Sequence, residues 1–215
     1  VTVNGILALN NGTYQIGNNN LVLTAGISGS NAIIGGTASN LTVGGTSTSL
    51  ALPPITNGLN DFTLNRPNGA TLNSNLTVNG TLNLTSGAFS ICANTLSLLG
   101  AISSAAGTLS GGSSSNITIA GSGASANLPA VSLNNLTLNR VNGISLGGAG
   151  SVGGTLALTA GTLTLGANTL TIAGNSPSRT SGNIDASNAG ATLAFTNTSA
   201  ITLPASVFTG NVNNL

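Results

Sequence analysis

Five side chains hold all the formal side-chain charge of this 215-residue chain: Asp61, Arg66, Arg140, Arg179 and Asp185. Acid–base cleavage by a carboxylate pair needs both groups beside one bond, roughly 5–10 Å apart. Asp61 and Asp185 stand about 120 residues apart, in different copies of a repeated sequence. There is no His to pair with a Ser nucleophile, and no Lys or Glu to move a proton. Cys92 lies between Ile91 and Ala93, where matching stretches carry Gly17 and Gly166. Without a base beside it, it reads as a small buried thiol or a corner residue, not a nucleophile. A lone cysteine also excludes an internal disulfide and a cysteine metal site. GAGSVG at 148–153 spells the dinucleotide pattern G-x-G-x-x-G. The stretch after it, TLALTAGTLTL, has a strand pattern, so no helix N-terminus is available to face a pyrophosphate. The expectation is a protein that is not an enzyme and holds no cofactor or metal.

The elements that must position these residues are written in the composition. Hydrophobic residues make up 40% of the chain, enough for a core, whereas charged residues are only 2%. Gly, Asn, Thr, Ser, Leu, Val and Ile dominate, which favours strands and turns and makes helix improbable. A net charge of +1 gives no electrostatic footprint for nucleic acid. No apolar run approaches the roughly 20 residues of a spanning helix. The strands are too short, and aromatics at 2% too few, for a transmembrane barrel.

The chain repeats itself. VTVNGILALNNGTYQIGNNNLVL from residue 1 matches LTVNGTLNLTSGAFSICANTLSL from 76 and SVGGTLALTAGTLTLGANTLTI from 151. Further on, SNLTVGG at 39–45 matches SNITIAG at 115–121, and FTLNRPNGATL at 62–72 matches LTLNRVNGISL at 136–146. Leu-Pro recurs at 52–53, 128–129 and 203–204. The unit is about 75 residues, giving copies at approximately 1–75, 76–150 and an incomplete 151–215.

Within each copy, apolar pairs two residues apart recur every seven: Leu82 and Leu84, Phe89 and Ile91, Leu96 and Leu98. Spacing by two buries one face of a strand, and the intervening Asn, Gly or Ser turns the chain. Three such strands make a coil of about 20–25 residues. The predicted fold is therefore all-β, a single parallel β-helix (β-solenoid) of about nine coils, three to each copy. A β-sandwich of short hairpins is the alternative, but it does not require 75-residue self-similarity. In the third copy, NSPSRTSGNIDASNAG at 175–190 breaks the cadence and predicts an outward loop.

Arg66 and Arg140 occupy the same place in successive copies and are expected to project from one edge. They would be solvated there, or make a contact once per copy. Eight Asn-x-Ser/Thr sequons occur, at Asn11, Asn40, Asn75, Asn79, Asn83, Asn116, Asn135 and Asn197. They are candidate glycosylation sites, although Asn at turns also has a purely local explanation. Outward Thr pairs, Thr162 with Thr164 and Thr169 with Thr171, suggest an ice- or glycan-binding face. The equivalents elsewhere are Ala88 with Ser90 and Asn20 with Val22, an irregular array.

Units reading LTVNGTLNLTSG…NTLSL and LTLNR-x-NGxxL resemble the β-strand-repeat surface proteins of Bacteroidota, and are similar in style to hemagglutinin-type β-helical adhesins. The resemblance covers essentially the whole chain and rests on cadence and composition. It implies an extracellular or cell-surface structural or adhesive role, and transfers no catalytic residue. No charged or helical cap is visible at either end, and uncapped strand edges template further strands. The expected partners are copies of the chain itself, in an end-to-end filament or longer array, with surface glycans as a further class.

Overall fold

The structure is a computed structural model that describes residues 1–124 and 126–215. Among them the regular elements are short strands of two to five residues, with no helix, and the strands pair in parallel. The fold is a β-solenoid of about 10 turns, close to the nine expected. Parallel pairing excludes the hairpin sandwich, whose neighbouring strands run antiparallel. The chain divides into two compact units, Val1–Ser110 and Gly111–Leu215. The sequence-repeat boundaries at 75/76 and 150/151 fall inside these units.

In the first unit each rung contributes one strand to each of three faces. The first face stacks Thr2–Val3, Asn20–Leu23, Asn40–Val43, Phe62–Asn65, Leu82–Ser86 and Ile102–Ser104. Leu21, Leu41, Phe62 and Leu82 lie in register down its inner side, each at most 1% exposed. Burying one such leucine contributes about 2 kcal/mol. Strands such as Leu50–Leu52, Ala70–Leu72 and Ala88–Ser90 build the second face, and Leu76–Val78 with Thr95–Leu98 belong to the third. Phe62 and Phe89 meet in the interior with ring centroids 4.7 Å apart.

The second unit repeats the scheme. Asn116–Ala120, Asn135–Asn139, Leu156–Ala160 and Ser178–Arg179 form one face. Asn127–Leu128, Ile144–Leu146, Thr162–Thr164 and Asn183–Asp185 form the next, and Val131–Leu133, Gly150–Val152, Thr169–Ile172 and Thr192–Phe195 the third. GAGSVG itself contains a strand, Gly150–Val152, and another, Leu156–Ala160, follows it, in keeping with the strand pattern there. The segment at 175–190 is not an outward loop. It supplies Ser178–Arg179 and Asn183–Asp185, and Ile184 of the latter is a fully buried core residue.

Sequence repeat and rung do not coincide. Within the first unit, Leu21 and Leu23 sit on the first face, but their equivalents Leu96 and Leu98 sit on the third. Likewise Leu7 is on the second face and its equivalent Leu82 on the first. Leu76–Val78, the equivalent of Thr2–Val3, comes eleven strands later, and eleven is not a multiple of three. The copy thus spans three and two-thirds rungs rather than the three expected. It can do so because all faces make the same demand, an apolar pair pointing in and small polar residues at the corners.

Candidate functional site

Arg66 and Arg140 do not project from an edge. They are the largest side chains the structure buries completely, at 1% and 0% exposure. Arg66 follows the strand Phe62–Asn65 and reaches beneath a loop of the preceding rung. Its Nε donates to the Thr48 carbonyl (2.9 Å) and its Nη1 to the Gly44 carbonyl (2.5 Å). Asn68 completes the grip, its Nδ2 donating to the Thr46 and Ser47 carbonyls at 3.1 and 3.0 Å. In the second unit Arg140 donates from Nε to Ala120 O (3.0 Å) and from Nη1 to Ala124 O (3.4 Å). Asn142 donates to Ser122 O and Gly123 O at 3.3 and 3.1 Å. The Arg-x-Asn-Gly turn is thus a clamp, built twice, that satisfies four main-chain carbonyls of one loop.

A guanidinium suits this task because its rigid fork donates in several directions at once. Burial pushes the pKa of both arginines below the ordinary value, while the carbonyl dipoles around them hold the positive charge. Each turn closes through its glycine: Gly69 N donates to Arg66 O (2.7 Å) and Gly143 N to Arg140 O (2.8 Å). The next rung then lies directly on it. A Cβ on Gly87 would stand 1.9 Å from Arg66 O, and one on Gly161 1.8 Å from Arg140 O. Three successive rungs are welded at each clamp. The loops and the two asparagines went unpredicted from sequence, yet a signal was there: each LNR-x-NG is preceded, about 20 residues earlier, by a Gly-containing loop, GGTSTS or AGSGA.

The remaining charged groups also work locally. Asp61 occupies the place of Asn135 in the next copy and does the same job: its Oδ1 accepts from Thr81 N at 2.6 Å, as Asn135 Oδ1 accepts from Thr155 N at 2.8 Å. Asp185 accepts from the Ser187 hydroxyl (2.6 Å) and the Ser187 amide (3.0 Å), and these bonds draw its pKa below the usual carboxylate value. Arg179 closes its own turn, with Nε on Gly182 O (2.7 Å) and Nη2 on Asn183 Oδ1 (3.0 Å).

Cys92 is exposed and is a corner residue, in the left-handed region at φ 54°. Its equivalents Gly17 and Gly166 have φ 62° and 58°. Two residues after each of the three stands an asparagine that ties the corner, with Asn19, Asn94 and Asn168 donating to Ile16 O, Ile91 O and Leu165 O. A side chain in this conformation carries strain that glycine lacks. Cys92→Gly is therefore expected to stabilise the protein by about 1 kcal/mol, read as a higher urea midpoint at unchanged m-value.

Of the sequon asparagines, Asn11 and Asn75 are exposed, while Asn40, Asn79, Asn83, Asn116, Asn135 and Asn197 are half-buried. Several of the latter bridge rungs: Asn40 Oδ1 accepts from Asn60 Nδ2 (3.0 Å), and Asn135 Nδ2 donates to Asn116 Oδ1 (2.8 Å). The outward threonines form no continuous array. On the first face the outward column reads Thr2, Val22, Thr42, Thr63, Asn83, Ser103. In the second unit Thr162 and Thr164 give way on the next rung to Asn183 and Asp185.

Among the described residues no three His, Cys, Asp or Glu side chains gather as metal ligands, and no helix is long and apolar enough to cross a membrane. A hollow of about 330 Å³ in the second unit is lined by Asn175, Ser176, Asn197, Thr198 and Ser199, with no ionisable group. No protein-family model matches the chain, and no curated protein or solved structure matches it either.

Proposed function

We propose that the chain is a structural building block, a β-solenoid segment of an extracellular filament or cell-surface adhesin whose partners are further copies of itself. The observation that carries this reading is where the polar side chains go. Arg66, Arg140, Asp61 and the repeated asparagines hold one rung to the next, and the clamps recur with the sequence repeat. Rigid extension, rather than transformation of a ligand, is what such an arrangement does well. Stacking is supported by the pairing itself, because a parallel rung finds its backbone partners only in a neighbouring rung and an open edge templates another. The repeat cadence resembling surface adhesins supports an extracellular place. An outward face for ice or glycan is the weaker reading, since the outward columns change residue type from rung to rung.

Electron microscopy and sedimentation across a wide concentration range test the proposal. The expected result is filaments with a repeat of about 4.8 Å along the axis. A monodisperse monomer at every concentration would overturn the stacking, and retention on a carbohydrate column without assembly would favour the binding-face reading.

A further inference from the structure

An N-linked sugar is built on the asparagine Nδ2. That nitrogen attacks the anomeric carbon of a sugar activated as a diphosphate. A C–N bond forms, the C–O bond to the diphosphate breaks, and one amide proton is lost. The asparagine carbonyl oxygen is left intact as an acceptor. A folded chain therefore takes a sugar where Nδ2 is exposed and uncommitted, and where the Ser or Thr two residues on is open to the transferase.

Most sequons from residue 40 onward are the strand pattern itself, an outward Asn and an outward Thr on either side of an inward apolar residue. Their asparagines are then drawn into the fold. Asn83 donates from Nδ2 to Thr63 Oγ1 (3.4 Å), Asn116 to Ser114 O (3.3 Å) and Asn135 to Asn116 Oδ1 (2.8 Å). Asn79, just past its strand, donates to Leu59 O at 2.8 Å, and Asn197 donates to Ser199 O. Asn40 is held through its oxygen, which accepts from Asn60 Nδ2 (3.0 Å) and the Asp61 amide (3.1 Å). All six are half-buried.

Asn75 differs on both counts. It stands one residue ahead of the strand Leu76–Val78, at the corner that follows Ala70–Leu72. Rungs lie on both sides of this corner, with Leu72 paired to Leu52 and Leu76 to Leu96. Asn75 is nevertheless exposed. Its side chain makes one hydrogen bond among the described residues, and that bond uses the oxygen: Oδ1 accepts from Thr95 N at 2.8 Å. The bond orients the amide and survives the reaction, because only Nδ2 is altered. Leu76 points inward and is 2% exposed, so Thr77 emerges on the same side as Asn75.

We infer that Asn75 is the position between residues 40 and 215 at which this fold accepts an N-linked sugar, and that the other six sequons of that span are held back by burial and by the bonds they make. The inference concerns the folded chain alone and does not rest on filament assembly. The test treats the purified full chain, in an Asn11→Gln background, with UDP-glucose and a soluble asparagine glucosyltransferase. The enzyme chosen is one that modifies separate synthetic peptides carrying Asn75 and Asn79 at comparable rates, so local sequence is controlled. Occupancy at each sequon is read by mass spectrometry after digestion. In the folded chain Asn75 is expected to be modified at least about tenfold faster than Asn79, Asn83 or Asn135, since those must wait for a local opening and about 1.4 kcal/mol of opening already gives tenfold. The urea midpoint of the modified chain is expected to be unchanged. A folded chain left unmodified at Asn75, one modified equally fast at Asn79, or a midpoint that falls as Asn75 is occupied would overturn the inference.

Discussion

Arg66→Ala is expected to destabilise the first unit by about 3–5 kcal/mol, the largest loss from any single side-chain truncation here. The change removes two charge-assisted hydrogen bonds worth roughly 1.5–3 kcal/mol each and leaves the Gly44 and Thr48 carbonyls unsatisfied above a cavity. A lysine cannot replace the fork: its single ammonium reaches one carbonyl group at a time, so Arg66→Lys is expected to recover only part of the loss. Urea titration followed by circular dichroism gives the magnitude. Limited proteolysis gives the place, because the Gly44–Thr48 loop should become cleavable before the rest of the unit unfolds. An exposed arginine would give a change within about 0.5 kcal/mol, and that result would refute the clamp.

Gly161→Ala is expected to cost about 3 kcal/mol or more, enough to reduce the yield of folded protein. The glycine has φ 80°, where an L-residue pays about 1–2 kcal/mol, and the added methyl would sit 1.8 Å from the Arg140 carbonyl oxygen. Overpacking against main chain adds roughly 1–3 kcal/mol, since a backbone carbonyl cannot swing aside like a side chain. Gly12 is the repeat equivalent, and there the environment is open, with nothing within 4 Å of the new methyl and no positive φ. Gly12→Ala is expected to be neutral or stabilising by about 0.5 kcal/mol. The pair, measured by thermal and urea unfolding, separates the effect of the clamp from that of the shared sequence.

The contrast between these two glycines marks what a sequence can and cannot tell about this fold. The strands were legible because each carries its own signature: Leu82 and Leu84 face in, Asn83 faces out, and the turn residues come at once after them. The corner at Cys92 was legible only as one of two readings, the other being a small buried thiol, which its exposure overturns. The fate of Arg66 was not. Between Asn65 and Pro67 it reads as a surface residue, and its burial depends on a loop some 18–22 residues earlier folding over it. Neither stretch announces the other, although both recur together. The segment containing Arg179 misled for the opposite reason. Its polar composition suggests a loop, but Ile184 is buried and Asn183–Asp185 pairs in register with Thr162–Thr164.

The mismatch of eleven strands per copy against three per rung has a consequence for how arrays of this kind can change in length. Insertion or loss of one copy by unequal recombination leaves every backbone bond satisfied, because any face accepts any strand. It nevertheless shifts all downstream residues by one face, so a patch that lined up with an upstream patch now looks elsewhere. Gaining three copies adds thirty-three strands, a whole number of rungs, and restores the alignment. Copy number in such a protein would act as an angular setting as well as a ruler.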